Sequence, residues 1–172
     1  MPETDLSPDC SQCDALCCVL LAFDASDAFA ANKPACAPCN HLSADNRCRI
    51  HPVLTGQGFA GCAAYTCHGA GQRITGQVFA GRSWRNDPTL LPAMEDAFRA
   101  LRRLHEAAWL LHEAGRLALP ARQDQQRKQL LATLNLGHAW SEDSLRAAEQ
   151  GPALRAVRSF LASLRAVMPP RR

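Results

Sequence analysis

Cysteine is the residue type through which this chain is best equipped to do chemistry. The stretch CSQCDALCC, residues 10–18, holds four cysteines in nine positions, and all nine cysteines of the chain lie at or before Cys67. In order they read Cys10-x2-Cys13-x3-Cys17-Cys18, Cys36-x2-Cys39, Cys48-x2-His51 and Cys62-x4-Cys67-His68. Disulfides, a dithiol redox couple, a nucleophilic cysteine and a metal site all use such thiols. Nine thiols cannot all pair, and Cys17 can join Cys18 only through a strained ring. CAPC, residues 36–39, has the spacing of a thioredoxin-type couple. That chemistry wants a preceding strand and a following helix to lower the pKa of the first thiol, and neither is visible there. Metal binding fits best. Two cysteines separated by two residues can offer both sulfurs to one ion at about 2.3 Å and leave room for two further ligands.

Zinc is the expected ion. Eight thiolates complete two tetrahedral sites or one site of two ions sharing sulfurs, and structural zinc contributes roughly 10–16 kcal/mol in small peptides. The alternative is iron, as a thiolate-bound centre or an iron–sulfur cluster serving a redox enzyme or its accessory. The spacing departs from the C-x3-C-x2-C of radical enzymes that use S-adenosylmethionine, and also from the bacterial ferredoxin run. A third reading is a thiol sensor that releases its metal on oxidation.

The elements that hold these thiols fall into two kinds. Pro, Gly, Asn and Asp punctuate residues 24–61 too often for long regular structure. Leu16, Val19, Leu20 and Phe23 have helical spacing, so a short helix carries Cys17 and Cys18, whose side chains then diverge by about 100°. CRIH, residues 48–51, reads as a short strand. GAGQRITGQVF opens a helix after Gly71, and it lacks the strand and the Gly-Lys-Ser/Thr ending of a phosphate loop. From Pro88 onward the pattern is helical: one helix to about Leu119, a second over 121–135, a short piece capped by Ser141, and a last from Pro152 to Val167. Ala97, Leu101, Leu104, Ala108 and Leu111 form the apolar stripe of the first, with Arg99, Arg103, Glu106 and Glu113 opposite. His105 and His112 share a face with Phe98, Leu101 and Trp109. They read as packing residues bonded to a carbonyl, with a ligand role facing the thiols as the alternative. The expected fold is mainly α, a Cys-rich, irregular, metal-stapled N-terminal region (1–87) packed on a small C-terminal helical bundle (88–172).

Composition narrows the function. The 172 residues are 47% hydrophobic and 20% charged, as in a globular protein. Six basic and seven acidic residues precede Asn86, whereas thirteen basic and nine acidic residues follow Arg85. Arg155, Arg158, Arg165 and the terminal PPRR make a stripe that reads as a solvated face. The Arg-rich half is where an unknown protein partner would bind. The basic stretches lack interleaved aromatics and the pI is near 8.4, so no nucleic-acid partner is expected. No apolar run approaches the ~18 residues of a transmembrane segment, and the acidic start lacks the pattern of a secretory signal. A cytoplasmic protein is expected. No H-E-x-x-H or G-x-S-x-G occurs, and Ser141 and Ser144 read as helix-start residues, so no catalytic constellation is recognised.

CSQCDALCC, PCNHL (38–42), RCRIH (47–51) and GFAGC (58–62) together resemble the YkgJ-type zinc- or iron-chelating cysteine-cluster family of bacteria. With YTCHGAGQ (65–72) and FAGRSWRNDP (79–88), the blocks look closer still to the amino-terminal Cys-rich region of certain bacterial pentapeptide-repeat proteins. The likeness covers about residues 10–90. It implies Cys10, Cys13, Cys17, Cys18, Cys39, Cys48, Cys62 and Cys67 as the shared thiol set, with His51 as a further ligand. Cys36 falls where the pattern leads one to expect a small residue such as Gly, which makes it the odd cysteine. No A-(D/N)-L-x-x repeat occurs, so the β-helix of those proteins and any DNA-mimic function are not carried over.

Overall fold

The helical half follows from its own sequence signals. In the computed structural model, which describes residues 5–137 and 139–166, α4 (Leu91–Ala114) is the longest element. Asp87 accepts from the Thr89 backbone N–H and starts a 3-10 turn, Pro88–Leu90, that leads into α4. Met94, Ala97, Leu101, Leu104, Ala108 and Leu111 are all buried along one face. Helix α5 (Ala121–Leu134) ends at Asn135, which takes a left-handed conformation. Helix α6 (Glu142–Gln150) opens on a reciprocal cap in which Ser141 and Ser144 each bond the other's backbone N–H. Helix α7 (Ala153–Ser163) continues as a 3-10 turn, Leu164–Ala166. α4 packs against α5, α6 and α7, and α5 packs against α7. The fold is mainly helical, and no helix among the described residues is long and apolar enough to cross a membrane.

Several sequence expectations need correction. α4 stops at Ala114 rather than near Leu119, because the chain turns at Gly115. CRIH is not a strand. Cys48 pairs with Leu42 in one isolated bridge, and His51–Val53 then coils into a 3-10 turn. The helix expected after Gly71 begins two residues earlier, as α3 (Ala70–Arg73), and widens into a π turn, Ile74–Val78. Trp109 lies past the edge of the buried face of α4 and is 42% exposed, whereas Phe98 is 2% exposed. Val167, Met168 and the PPRR stretch lie outside the described residues.

The Cys-rich half is made of short turns. Besides α1 (Leu16–Leu20) and α2 (Ala60–Ala64), its regular pieces include 3-10 turns at Cys10–Gln12 and Thr55–Gln57. Side chains tie them together. Trp84 Nε1 donates to the Asp14 carbonyl at 2.8 Å, and Asn46 Nδ2 to Asp14 Oδ1 at 2.9 Å. Arg85 reaches Asn46 Oδ1 at 2.6 Å and the Ser43 carbonyl at 2.7 Å. One apolar core runs through both halves, from Leu16, Leu20, Ile74 and Phe79 to Leu104, Leu145 and Phe160.

Candidate metal centre

Four separate segments bring thiols together around α1. In α1, Cys17 and Cys18 stand with sulfurs 3.9 Å apart. The pair divides its titration unequally: the hydrogen bond between the two sulfurs lowers Cys18 to about 7 and drives Cys17 well up. Cys13 and Cys67 act on Cys17, and Cys10 lies by Cys67 and Cys18. Gly71 fixes this side, because a Cβ there would lie 2.5 Å from Cys13 Sγ, so only a hydrogen leaves space for that sulfur, while Cys67 Sγ at 3.9 Å would be in ordinary contact. Burial pushes Cys13 up to about 11, while the backbone N–H groups of Leu16 and Ala15, bonded to its sulfur, work against that rise. Cys10 is raised by burial and then by the charges of Cys67 and Cys18.

Around Cys18 gather Cys39, Cys48 and Cys62. The Cys39 backbone N–H donates to the Cys18 carbonyl at 3.0 Å. Cys48 is raised by burial, opposed by the Ile50 N–H on its sulfur, and raised further by the charges of Cys18 and Cys39. Cys62, in α2, is raised by burial and then by Cys18, Cys39 and Cys48. Its neighbour Gly61 lies under the Phe29 ring, where a Cβ would come within 2.2 Å of Cζ, and Phe29 stacks on Phe23 at 4.5 Å between centroids. The eight thiols thus form one connected cluster about Cys17 and Cys18, with Cys13 and Cys67 towards one end, Cys39, Cys48 and Cys62 towards the other, and Cys10 touching both. All nine cysteines are free thiols.

The remaining candidates are placed elsewhere. Cys36 lies apart, with its sulfur 3.2 Å from Glu95 Oε2 on α4. Its φ of +55° belongs to the region glycine prefers. His51 is exposed, and its backbone N–H donates to the Cys48 carbonyl at 3.3 Å. His105 is fully buried and donates from Nδ1 to the His68 carbonyl at 2.6 Å, the packing role expected of it. The His68 ring leans on Trp109 at 5.3 Å, and with Leu6, Ser7, Pro8 and Thr66 the two line an open cleft of about 400 Å³ beside Cys67.

Sequence reasoning missed two residues here. Tyr65 carries a buried hydroxyl with no hydrogen-bond partner among the described residues, raised by burial and then by the charges of Cys17 and, to a smaller degree, Cys67. Lys33 is 6% exposed and lies among Cys39, Cys18, Cys36 and Cys17. The one available signal was compositional: Lys33 and Lys128 are the only lysines among 19 basic residues.

Thiolate sulfur is the donor that soft and borderline ions prefer, and backbone N–H groups aimed at the Cys13 and Cys48 sulfurs favour the ionised form. The donor set therefore fits a thiolate-held ion in its chemistry. Among the described residues, no three Cys, His, Asp or Glu side chains already stand in an arrangement that could hold one ion. The sulfurs are gathered without being closed on a common point.

The chain is 44% identical over 110 residues to a protein of Bacillus subtilis (strain 168) described as uncharacterized protein YybG. That match covers 64% of this chain and 39% of the length of YybG. No protein-family model matches the chain, and no solved structure does.

Proposed function

We propose that this chain is a metal-binding cysteine-cluster module, with zinc as its ion, that works as a scaffold or interaction unit rather than a catalyst. The observation that carries the reading is the gathering of eight thiols, from segments far apart in sequence, into one connected cluster about Cys17 and Cys18. Cys10, Cys13, Cys17 and Cys67 would hold one ion and Cys18, Cys39, Cys48 and Cys62 the other. Zinc would supply a cross-link between turns that bury little apolar surface of their own. Membership of the YkgJ-type cysteine-cluster family is part of the same proposal. So is a cytoplasmic location, where reducing conditions keep such thiols unpaired. The partner would be a protein meeting the Arg-rich helical half, where Arg155, Arg158 and Arg165 are exposed.

The test is metal content by mass spectrometry, with a visible spectrum, on protein purified without oxygen. Two zinc ions per chain and no colour support the proposal. A protein that stays fully folded and metal-free in strong chelator sinks it. The second reading, a thiolate-bound iron centre or cluster in a redox enzyme or accessory, draws on the 3.9 Å approach of Cys17 and Cys18, a vicinal pair suited to bridging. It predicts iron and charge-transfer bands in the visible.

A further inference from the structure

A lysine buried without a carboxylate needs an explanation. Lys33 is 6% exposed, and its ammonium has no ion pair with any described Asp or Glu. Its Nζ bonds three backbone carbonyls: Val19 at 2.9 Å, Leu21 at 2.6 Å and Pro34 at 3.0 Å. Three N–H donors meet three acceptors, the geometry of a compact ammonium rather than a planar guanidinium. Those bonds satisfy its protons and the Phe23 ring faces the ammonium at 5.9 Å, yet neither supplies a negative charge, and a buried charge without a counter-ion is costly. Burial lowers Lys33, and the groups that oppose this are the thiols of Cys39, Cys18, Cys36 and Cys17. Glu95, the carboxylate that bonds one of these thiols, is engaged by Cys36.

Lys33 is also fixed by the fold. It pairs with Phe23 in an isolated bridge, bonded both ways at 3.0 and 2.8 Å, and two of its three carbonyls lie at the end of α1, the helix that carries Cys17 and Cys18. A divalent ion surrounded by four thiolates is itself an anion. We propose, resting on the metal-centre reading above, that Lys33 is the built-in counter-charge of the thiolate centre, raising its affinity for metal through its field while its three carbonyl bonds hold it in place. Because every proton on Nζ is engaged by a carbonyl, the effect on sulfur is one of charge and not of a direct N–H···S bond.

The experiment measures zinc affinity by competition with a coloured chelator at fixed pH, for the full chain and for K33R, K33Q and K33M, with circular dichroism to monitor the helices. K33Q keeps N–H donors for the carbonyls and loses the charge; K33R keeps the charge; K33M loses both. The expected order places both neutral variants about tenfold weaker or more than the unaltered chain, with helical signal unchanged, and K33R above them, because a guanidinium keeps the charge without reproducing the three-carbonyl clamp. Wild-type affinity in K33Q overturns the proposal, and so does K33R binding no more tightly than K33Q, since a positive charge at that position then has no effect on the metal. An unaltered chain that takes no zinc overturns this proposal and the metal-centre reading together. Tight zinc binding that is indifferent to all three variants overturns this one alone.

Discussion

At the scale of single residues, the thiols differ in what surrounds them, and the differences make predictions. Gly71 stands against Cys13 Sγ, so Gly71→Ala drives a methyl group into that sulfur. We expect a loss of about 1–3 kcal/mol in urea unfolding and, on the proposed metal-centre reading, a lower metal content by mass spectrometry. Cys36 gives the contrast: Cys36→Gly should leave metal content unchanged, because its sulfur faces Glu95 and its φ of +55° suits glycine. His105 sets an acid limit. Burial lowers it from 6.5 to about 4, so the folded state resists its protonation more than the unfolded chain does. The stability it contributes is complete above pH 6.5, declines as pH falls towards 4, and does not fall further below that. The decline is on the order of 3 kcal/mol, and His68, also lowered by burial, adds in the same direction. Unfolding free energies between pH 7 and 4 should show it, with a shallower slope in His105→Gln.

At the scale of elements, the two halves were not equally legible in the sequence. α4, α5, α6 and α7 could be read because their signals are local. The stripe of Ala97, Leu101, Leu104 and Ala108 repeats with the helical period, and Ser141 announces a cap. Ser141→Ala should therefore cost about 1 kcal/mol in thermal or urea unfolding, through the first turn of α6 alone. The Cys-rich half has no such period. Its turns are fixed by bonds between residues far apart in sequence, such as Trp84 to Asp14 and Arg85 to Ser43, and one chain without its partners displays none of them. Hence CRIH read as a strand from its local residue types and became a bridge followed by a turn. The thiol set itself was visible in spacing. How it divides about Cys17 and Cys18, and the presence of Lys33 and Tyr65 beside it, depended on folding.

At the scale of the whole molecule, the continuous core joins the turns to the bundle. Leu16 and Leu20 of α1 and Ile74 beside α3 belong to the same buried cluster as Leu104 and Phe160. The Cys-rich half therefore cannot loosen without uncovering one side of α4. Unfolding should be a single transition, with helical signal and thiol accessibility changing together, and a strong chelator should lower the midpoint of both. Two separated transitions would show that the halves are energetically independent. Leu16→Ala, at a site with no exposure, should destabilise both halves by about 2–5 kcal/mol.

The bond from Trp84 to the Asp14 carbonyl has an optical consequence. The indole is 7% exposed and its N–H is held at 2.8 Å by the residue next to Cys13. Indole emission responds to the dipole at that nitrogen, and Trp109, which is 42% exposed, is open to aqueous quenchers that Trp84 is shielded from. Trp140, 8% exposed, is shielded as well, so in Trp140→Phe with Trp109 quenched by iodide, a shift of the Asp14 carbonyl on filling or emptying the thiol cluster would change the colour and lifetime of the Trp84 fluorescence that remains. The protein thus carries its own label, at the spot where occupancy would be read.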